Sequence, residues 1–210
     1  IVHRLGAANH VEASPAPGDV AGRFAGARAF HLSPTPLECQ RRLLEGLAGR
    51  EGALLSLDPH EPVREESLGA WRGSLARADV FFASEEELQL PGLREDQAGT
   101  LARLAGGRLR HVLLKRGAAG GALYDTRTGE LLEWAPRATA VVDPTGAGDA
   151  FAGGFLSGLL AGEGPGGALE RGVVSASFAL EAWGAAGLIA ATPAEARRRR
   201  AEWFGTETDA

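Results

Sequence analysis

The chain has 210 residues, enough for one domain with a real core, and a content of 44% hydrophobic and 23% charged residues is that of a folded globular protein rather than a disordered one. A formal net charge of −5 speaks against a nucleic-acid partner, because phosphate backbones are held by clustered Lys and Arg. A single cysteine, Cys39, excludes an internal disulfide and a cysteine-cluster metal site, and no window is apolar for long enough to cross a bilayer, so the expected setting is cytoplasmic with no membrane partner. The first residues lack a secretory pattern, and a chain that opens on Ile1 and contains no methionine reads as part of a longer protein.

In chain order, the Pro/Gly-rich stretch 14–26 reads as a loop. A short apolar run at Phe30 leads through Ser-Pro-Thr-Pro into a helix with its apolar period at Leu37, Leu43, Leu44 and Leu47, in which Cys39 is a small buried thiol. "ALLSLDPH" is a buried-type strand closed by Asp58-Pro59, and "EESLGAWRGSLARA" returns to helix. "DVFFA" is a second buried strand. "SEEELQL" then starts a helix with a capping serine, and "REDQAGTLARLAGG" is a helix closed by glycines. "HVLLK" is a strand, "GAAGGALYD" and "GELLEWAP" predict a hairpin or meander, and "ATAVVD" is the last clear strand. Three helical stretches follow, at 149–161, 168–183 and 193–204; the run of four arginines in "ARRRRAEWF" is expected on a solvated helix face.

Strands alternating with helices predict an α/β fold: a doubly wound, mostly parallel sheet with helices on both faces, 1–210 forming a single domain with ligands at the carboxyl ends of the strands. One junction carries chemistry. In "VVDPTGAGDAFAGGFLSGLL" a strand feeds a glycine turn that opens a helix, which presents unpaired backbone N–H groups at the positive end of the helix dipole and so attracts phosphate. No Gly-Lys-Ser/Thr follows, so it is not a P-loop, and Phe151 occupies the third glycine position of the dinucleotide fingerprint. Asp149 stands beside those N–H groups. Read by itself, its carboxylate serves equally as a helix cap or as the acceptor of a hydroxyl proton during phosphoryl transfer.

"DPTGAGDAFAGGFL" resembles the C-terminal signature of the ribokinase-like, PfkB-type carbohydrate kinases at every position. The resemblance implies that Asp149 is the catalytic base, that the main-chain N–H groups of Gly146, Ala147 and Gly148 form the anion hole, and that ATP is the phosphoryl donor. A monovalent cation such as K⁺ is implied near Asp143 and Thr145 in some members. "ADVFFASEEEL" is similar to the family's strand followed by Asn-Glu-x-Glu, with Ser84 at the asparagine, Glu85 at the first glutamate and Glu87 at the last. That match implies a segment that helps organise Mg²⁺ and the nucleotide phosphates, with the Ser84 hydroxyl in place of the amide ligand and Glu87 supporting Mg²⁺ through water, set against a solvated acidic helix start as the plain alternative. "VLLKRGAAGGALY" resembles the nucleotide loop, which puts Lys115 near the phosphates and Gly117 and Gly120 along the ATP site; a plain hairpin turn is the competing reading. "LSLDPH" resembles a strand end reading Asp-Pro-Asn, with His60 for the asparagine, so Asp58 either lines the crevice or ends the strand.

Ser177 and Gly184 fall where relatives pack against the adenine, in a stretch that reads equally as core helix. The four tryptophans are expected to pack rather than to form a sugar platform, and the five histidines show neither metal-ligand spacing nor a catalytic pattern. The resemblance begins near Phe30, without the family's first strands, lid sheet and most sugar contacts; with the lid goes the usual dimer surface, which leaves a homodimer open. It implies ATP-dependent phosphorylation of a sugar or sugar-like hydroxyl. The alternatives are a nucleoside or vitamin-alcohol kinase of the same fold, and a truncated, non-catalytic nucleotide-binding module.

Overall fold

The computed structural model describes residues 9–21, 24–50, 52–137 and 139–205. They divide into two compact units, Ile1–Trp134 and Ala135–Ala210. The first unit contains, in chain order, α1 (His10–Ala13), α2 (Pro17–Ala21), β1 (Ala29–Leu32), α3 (Leu37–Leu47), β2 (Leu54–Leu57), β3 (Val63–Arg64), α4 (Leu68–Leu75), β4 (Val80–Ser84), β5 (Leu88–Gln89), α5 (Gln97–Ala102), β6 (His111–Lys115), β7 (Gly121–Asp125) and β8 (Leu131–Trp134). Six strands form one sheet in the order β1-β2-β4-β6-β7-β8; the first four are parallel and the last two antiparallel, while β3 and β5 pair as a separate parallel ribbon. This is the mostly parallel sheet of a doubly wound α/β fold.

The central strands β4 and β6 carry apolar residues on both faces. In β4, Phe81 and Ala83 face one way and Val80 and Phe82 the other, all four fully buried. The first pair joins a core with Leu44 and Leu47 of α3, Trp71 and Leu75 of α4, and Leu101 of α5. Asp79, just before β4, accepts from the Leu55 amide and pairs with Arg108 at 2.6 Å, which ties the amino ends of β2 and β6 together through a partly buried carboxylate.

The second unit is helical among its described residues: α6 (Ala147–Leu160), α7 (Pro165–Leu180), α8 (Ala186–Ala190) and α9 (Pro193–Phe204). Helices α6 and α7 approach through glycines. A β-carbon at Gly154 would stand 2.6 Å from the Arg171 carbonyl oxygen, and one at Gly158 would stand 2.6 Å from Cα of Ala168, so only hydrogen fits at either place. Helix α9 is then held onto α7 by ions. Arg199 donates to both oxygens of Glu181 at 2.8 and 3.0 Å and lies 4.0 Å over the Phe178 ring, while Arg200 pairs with Glu170 at 2.7 Å and Glu163 at 3.2 Å.

Several local expectations are corrected. The stretch 14–26 holds a short helix, α2, because Pro17 presets the first helical φ and the Asp19 carboxylate accepts from the Ala16 amide at 2.7 Å. "SEEELQL" forms a turn and then β5 rather than a helix: Leu88 gains more from burial beside Val63 in the β3–β5 ribbon than from a helical turn. "ATAVVD" is no strand among the described residues; the Val142 and Asp143 amides donate to the Leu180 carbonyl at the end of α7, and Val141 and Val142 are exposed. The arginine run is a solvated face only in part, since Arg199 and Arg200 turn into the ion pairs just described. Helix α8 is an additional element.

Candidate functional site

In the second unit the polar chemistry gathers at the start of α6. Gly146 is its N-cap, with φ 79° in the left-handed region and no atom within 4 Å of where a β-carbon would be. The turn before it is set by Asp143: one carboxylate oxygen accepts from the Thr145 amide at 3.0 Å, the other from the Gly184 amide at 3.1 Å. These backbone bonds and the Thr145 hydroxyl hold the Asp143 carboxyl below the usual carboxylate range, so it is ionised while it pins the turn to the loop after α7.

The Ala147 amide donates to the Pro144 carbonyl at 3.3 Å and the Ala150 amide to the Gly146 carbonyl at 2.9 Å. Between them, the Gly148 and Asp149 amides have no acceptor among the described residues. The helix thus begins with bare N–H groups at its positive end, and no side chain caps it. Asp149 lies in that first turn, exposed, with no hydrogen-bond or ion-pair partner among the described residues. An exposed carboxylate beside unfilled amides can accept a proton while the amides receive an anionic oxygen.

In the first unit the polar groups sit at the carboxyl ends of adjacent strands, as a parallel sheet predicts for its ligands. Ser84 ends β4 opposite Lys115 at the end of β6, and Asp58 follows β2 on the other side of β4. Lys115 Nζ lies 3.0 Å from Asp58 Oδ2, both side chains largely buried. The Gln40 side-chain Nε2 donates to the Asp58 carbonyl at 2.6 Å, which fixes the strand end. The pairing of Lys115 with Asp58 was not foreseen, because nothing in one dimension brings β2 and β6 to either side of β4.

Ser84 and Glu87 make a reciprocal pair: the Ser84 amide donates to Glu87 Oε2 at 2.6 Å and the Glu87 amide to Ser84 Oγ at 3.2 Å. The capping chemistry expected for this serine is therefore present, but it closes a turn. One Glu87 oxygen is committed; the other has no partner among the described residues, and a hard oxygen donor of that kind suits Mg²⁺ bound through its water shell. Glu85 stands 3.7 Å from Arg94 on the surface.

The loop from β6 to β7 is a tight connection with a 3-10 turn at Gly117–Ala119, where Gly117 (φ 52°) and Gly120 (φ 80°) take conformations that favour glycine. Arg116, instead of reaching into solvent, pairs with Gln97 at 2.7 Å and Glu133 at 3.2 Å.

Two adenine-contact expectations meet obstacles. Ser177 is 3% exposed; its hydroxyl donates to the Val174 carbonyl at 2.6 Å and accepts from Arg199 at 2.8 Å, a core-helix placement. The Gly184 amide is taken by Asp143. The packing expectation holds for Trp71, 2% exposed, and fails for Trp183, which is 74% exposed in the loop after α7.

Residues 55–191 match the family described as pfkB family carbohydrate kinase. A cytidine kinase of Thermococcus kodakarensis is 32% identical over 161 residues, which is 75% of this chain and 57% of that protein. Among solved structures, a ribokinase of Arabidopsis thaliana complexed with ribose and ATP aligns with a TM-score of 0.66 at 20% identity, over 83% of this chain and 56% of that one. A nucleoside kinase of Burkholderia thailandensis in complex with inosine aligns with a TM-score of 0.64 at 20% identity, over 89% of this chain and 60% of that one. These structures share the fold, and the chain spans 57% of the length of the cytidine kinase it matches.

Proposed function

The chain belongs to the PfkB family of carbohydrate kinases, and from that premise we propose that it carries the phosphate-handling half of an ATP- and Mg²⁺-dependent phosphotransferase acting on a hydroxyl of a sugar or sugar-like alcohol. The observation that carries this reading is Asp149, exposed and unpartnered among the described residues, in the same helical turn as amides without acceptors. Asp149 takes the proton of the acceptor hydroxyl as its oxygen bonds to the γ-phosphorus; the β–γ bridging bond breaks and ADP leaves. The Gly146, Ala147 and Gly148 amides are the anion hole, with Gly148 the best placed because the Ala147 N–H already has a carbonyl.

Glu87 supports Mg²⁺ through its uncommitted oxygen, with Ser84 holding that side chain in place. Lys115, Gly117 and Gly120 line the nucleotide phosphates. A monovalent cation such as K⁺ belongs beside Asp143 and Thr145, where the ionised carboxylate keeps a second lone pair on each oxygen. Residues 1–210 act as one functional domain of a cytoplasmic enzyme; no helix among the described residues is long and apolar enough to cross a membrane.

A nucleoside acceptor is the second reading, favoured by the similarity to a cytidine kinase over 75% of the chain. The complete gene product, supplied with ATP and Mg²⁺, is expected to release ADP only when a sugar or nucleoside from a test panel is added. Absence of both acceptor-dependent ADP release and measurable ATP binding would overturn the proposal.

A further inference from the structure

The helical unit contains a cavity of about 410 Å³, within the size range of small-molecule sites. It lies one and a half to two turns beyond Asp149 along α6, roughly 7–12 Å along the helix axis, and every residue around it comes from Gly154 to Arg200. Val174 and Phe178, 4% and 5% exposed, form its apolar floor, with one face of the Phe178 ring covered by Arg199, Leu188 forms its apolar rim, and Gly154, bare because α7 passes so close, adds no side chain. Leu188 and the neighbouring Ile189 are exposed at 36% and 82%, so the apolar surface continues out to solvent.

The charges around it are unequal. Arg171 and Arg200 also line the cavity, but each is neutralised by Glu163, with Glu170 assisting Arg200. Arg197 lines the same space, is exposed, and has no ion-pair or hydrogen-bond partner among the described residues. Ser175, between the apolar residues on α7, carries a hydroxyl that likewise has no partner among the described residues. An open-sided pocket with an apolar floor, one surplus guanidinium and one unused hydroxyl matches a ligand that has an apolar body and a single negative group.

We propose that this cavity is a second ligand site, separate from the glycine turn, for a small organic anion such as an aromatic carboxylate, with Arg197 binding the carboxylate and Val174, Phe178 and Leu188 the ring. The test is independent of kinase activity. Calorimetric titration of the purified protein with 2-naphthoate should show one saturable site per chain in the submillimolar range. Arg197→Ala should weaken it about tenfold, the cost of one charge-assisted contact, and the neutral 2-naphthylmethanol should bind the unaltered protein about as poorly. Ala196→Leu, which keeps the helix and places a larger side chain in the cavity, should abolish binding. No saturable binding at soluble concentrations, or an affinity unchanged in both folded variants, would overturn the proposal.

Discussion

Replacing Asp149 by asparagine separates catalysis from folding. The side chain is exposed and partnerless among the described residues, so the substitution removes only a negative charge near the start of α6, where such a charge stabilises by about 0.3–1 kcal/mol. For a chain of this size that shifts the thermal midpoint by roughly 2–4 °C at most. Asparagine preserves the shape and leaves the neighbouring amides available, so ADP affinity should stay within about threefold of the unaltered protein. Turnover should behave differently: a lost general base costs about 10²–10⁴-fold in rate, or roughly 3–5 kcal/mol in the barrier. The assay follows ADP release with saturating acceptor, alongside calorimetric ADP binding and a thermal melt on the same preparation. A kcat within tenfold of the unaltered protein would refute the role of Asp149. A melt lowered by much more than 4 °C would refute the inference that its carboxylate is structurally idle.

Arg199 should matter to stability rather than to turnover. With its side chain 12% exposed, paired twice with Glu181 and stacked on Phe178, its replacement by alanine should cost about 2–4 kcal/mol, and lysine should restore only part because it cannot form both bonds. A denaturant midpoint unchanged by Arg199→Ala would contradict the ion-pair account of how α9 is held. His111 supplies a pH signature. Burial, opposed by Asp125 and reinforced by Arg110 and Arg127, pushes its pKa below the ordinary 6.5. Its contribution is therefore complete above pH 6.5 and is lost as pH falls through the depressed folded value, because the unfolded chain takes up the proton first. The carboxylates with lowered pKa, Asp125, Asp143, Glu163 and Glu181, lose their contribution only at more acid pH. Comparing denaturant midpoints at pH 7.5 and 5.5 should show a drop that His111→Gln removes; an equal drop in the variant would exclude His111 as its source.

Whatever depends on neighbours along the chain was legible in the order of residues. Apolar runs of strand length in "DVFFA" and "HVLLK" had one stable outcome, buried parallel strands, because both faces need covering. The glycine turn before Asp149 was equally legible, since left-handed backbone at Gly146 followed by a helix is a local property of Thr-Gly-Ala-Gly-Asp. Tertiary structure decided the rest. Whether "SEEELQL" became helix or ribbon depended on Val63, 25 residues away, offering Leu88 a buried partner. Whether "ATAVVD" became a strand depended on the Leu180 carbonyl taking its amides. The arginine run split into two inward-paired residues, Arg199 and Arg200, a surface pair of Arg198 with Glu202, and the surplus charge of Arg197, because Glu163, Glu170 and Glu181 were folded against α9. Lys115 met Asp58 only through the order of strands in the sheet. Conformational preference is set within a few residues of the chain, whereas burial and charge pairing depend on distances in space, which the order of residues does not encode locally.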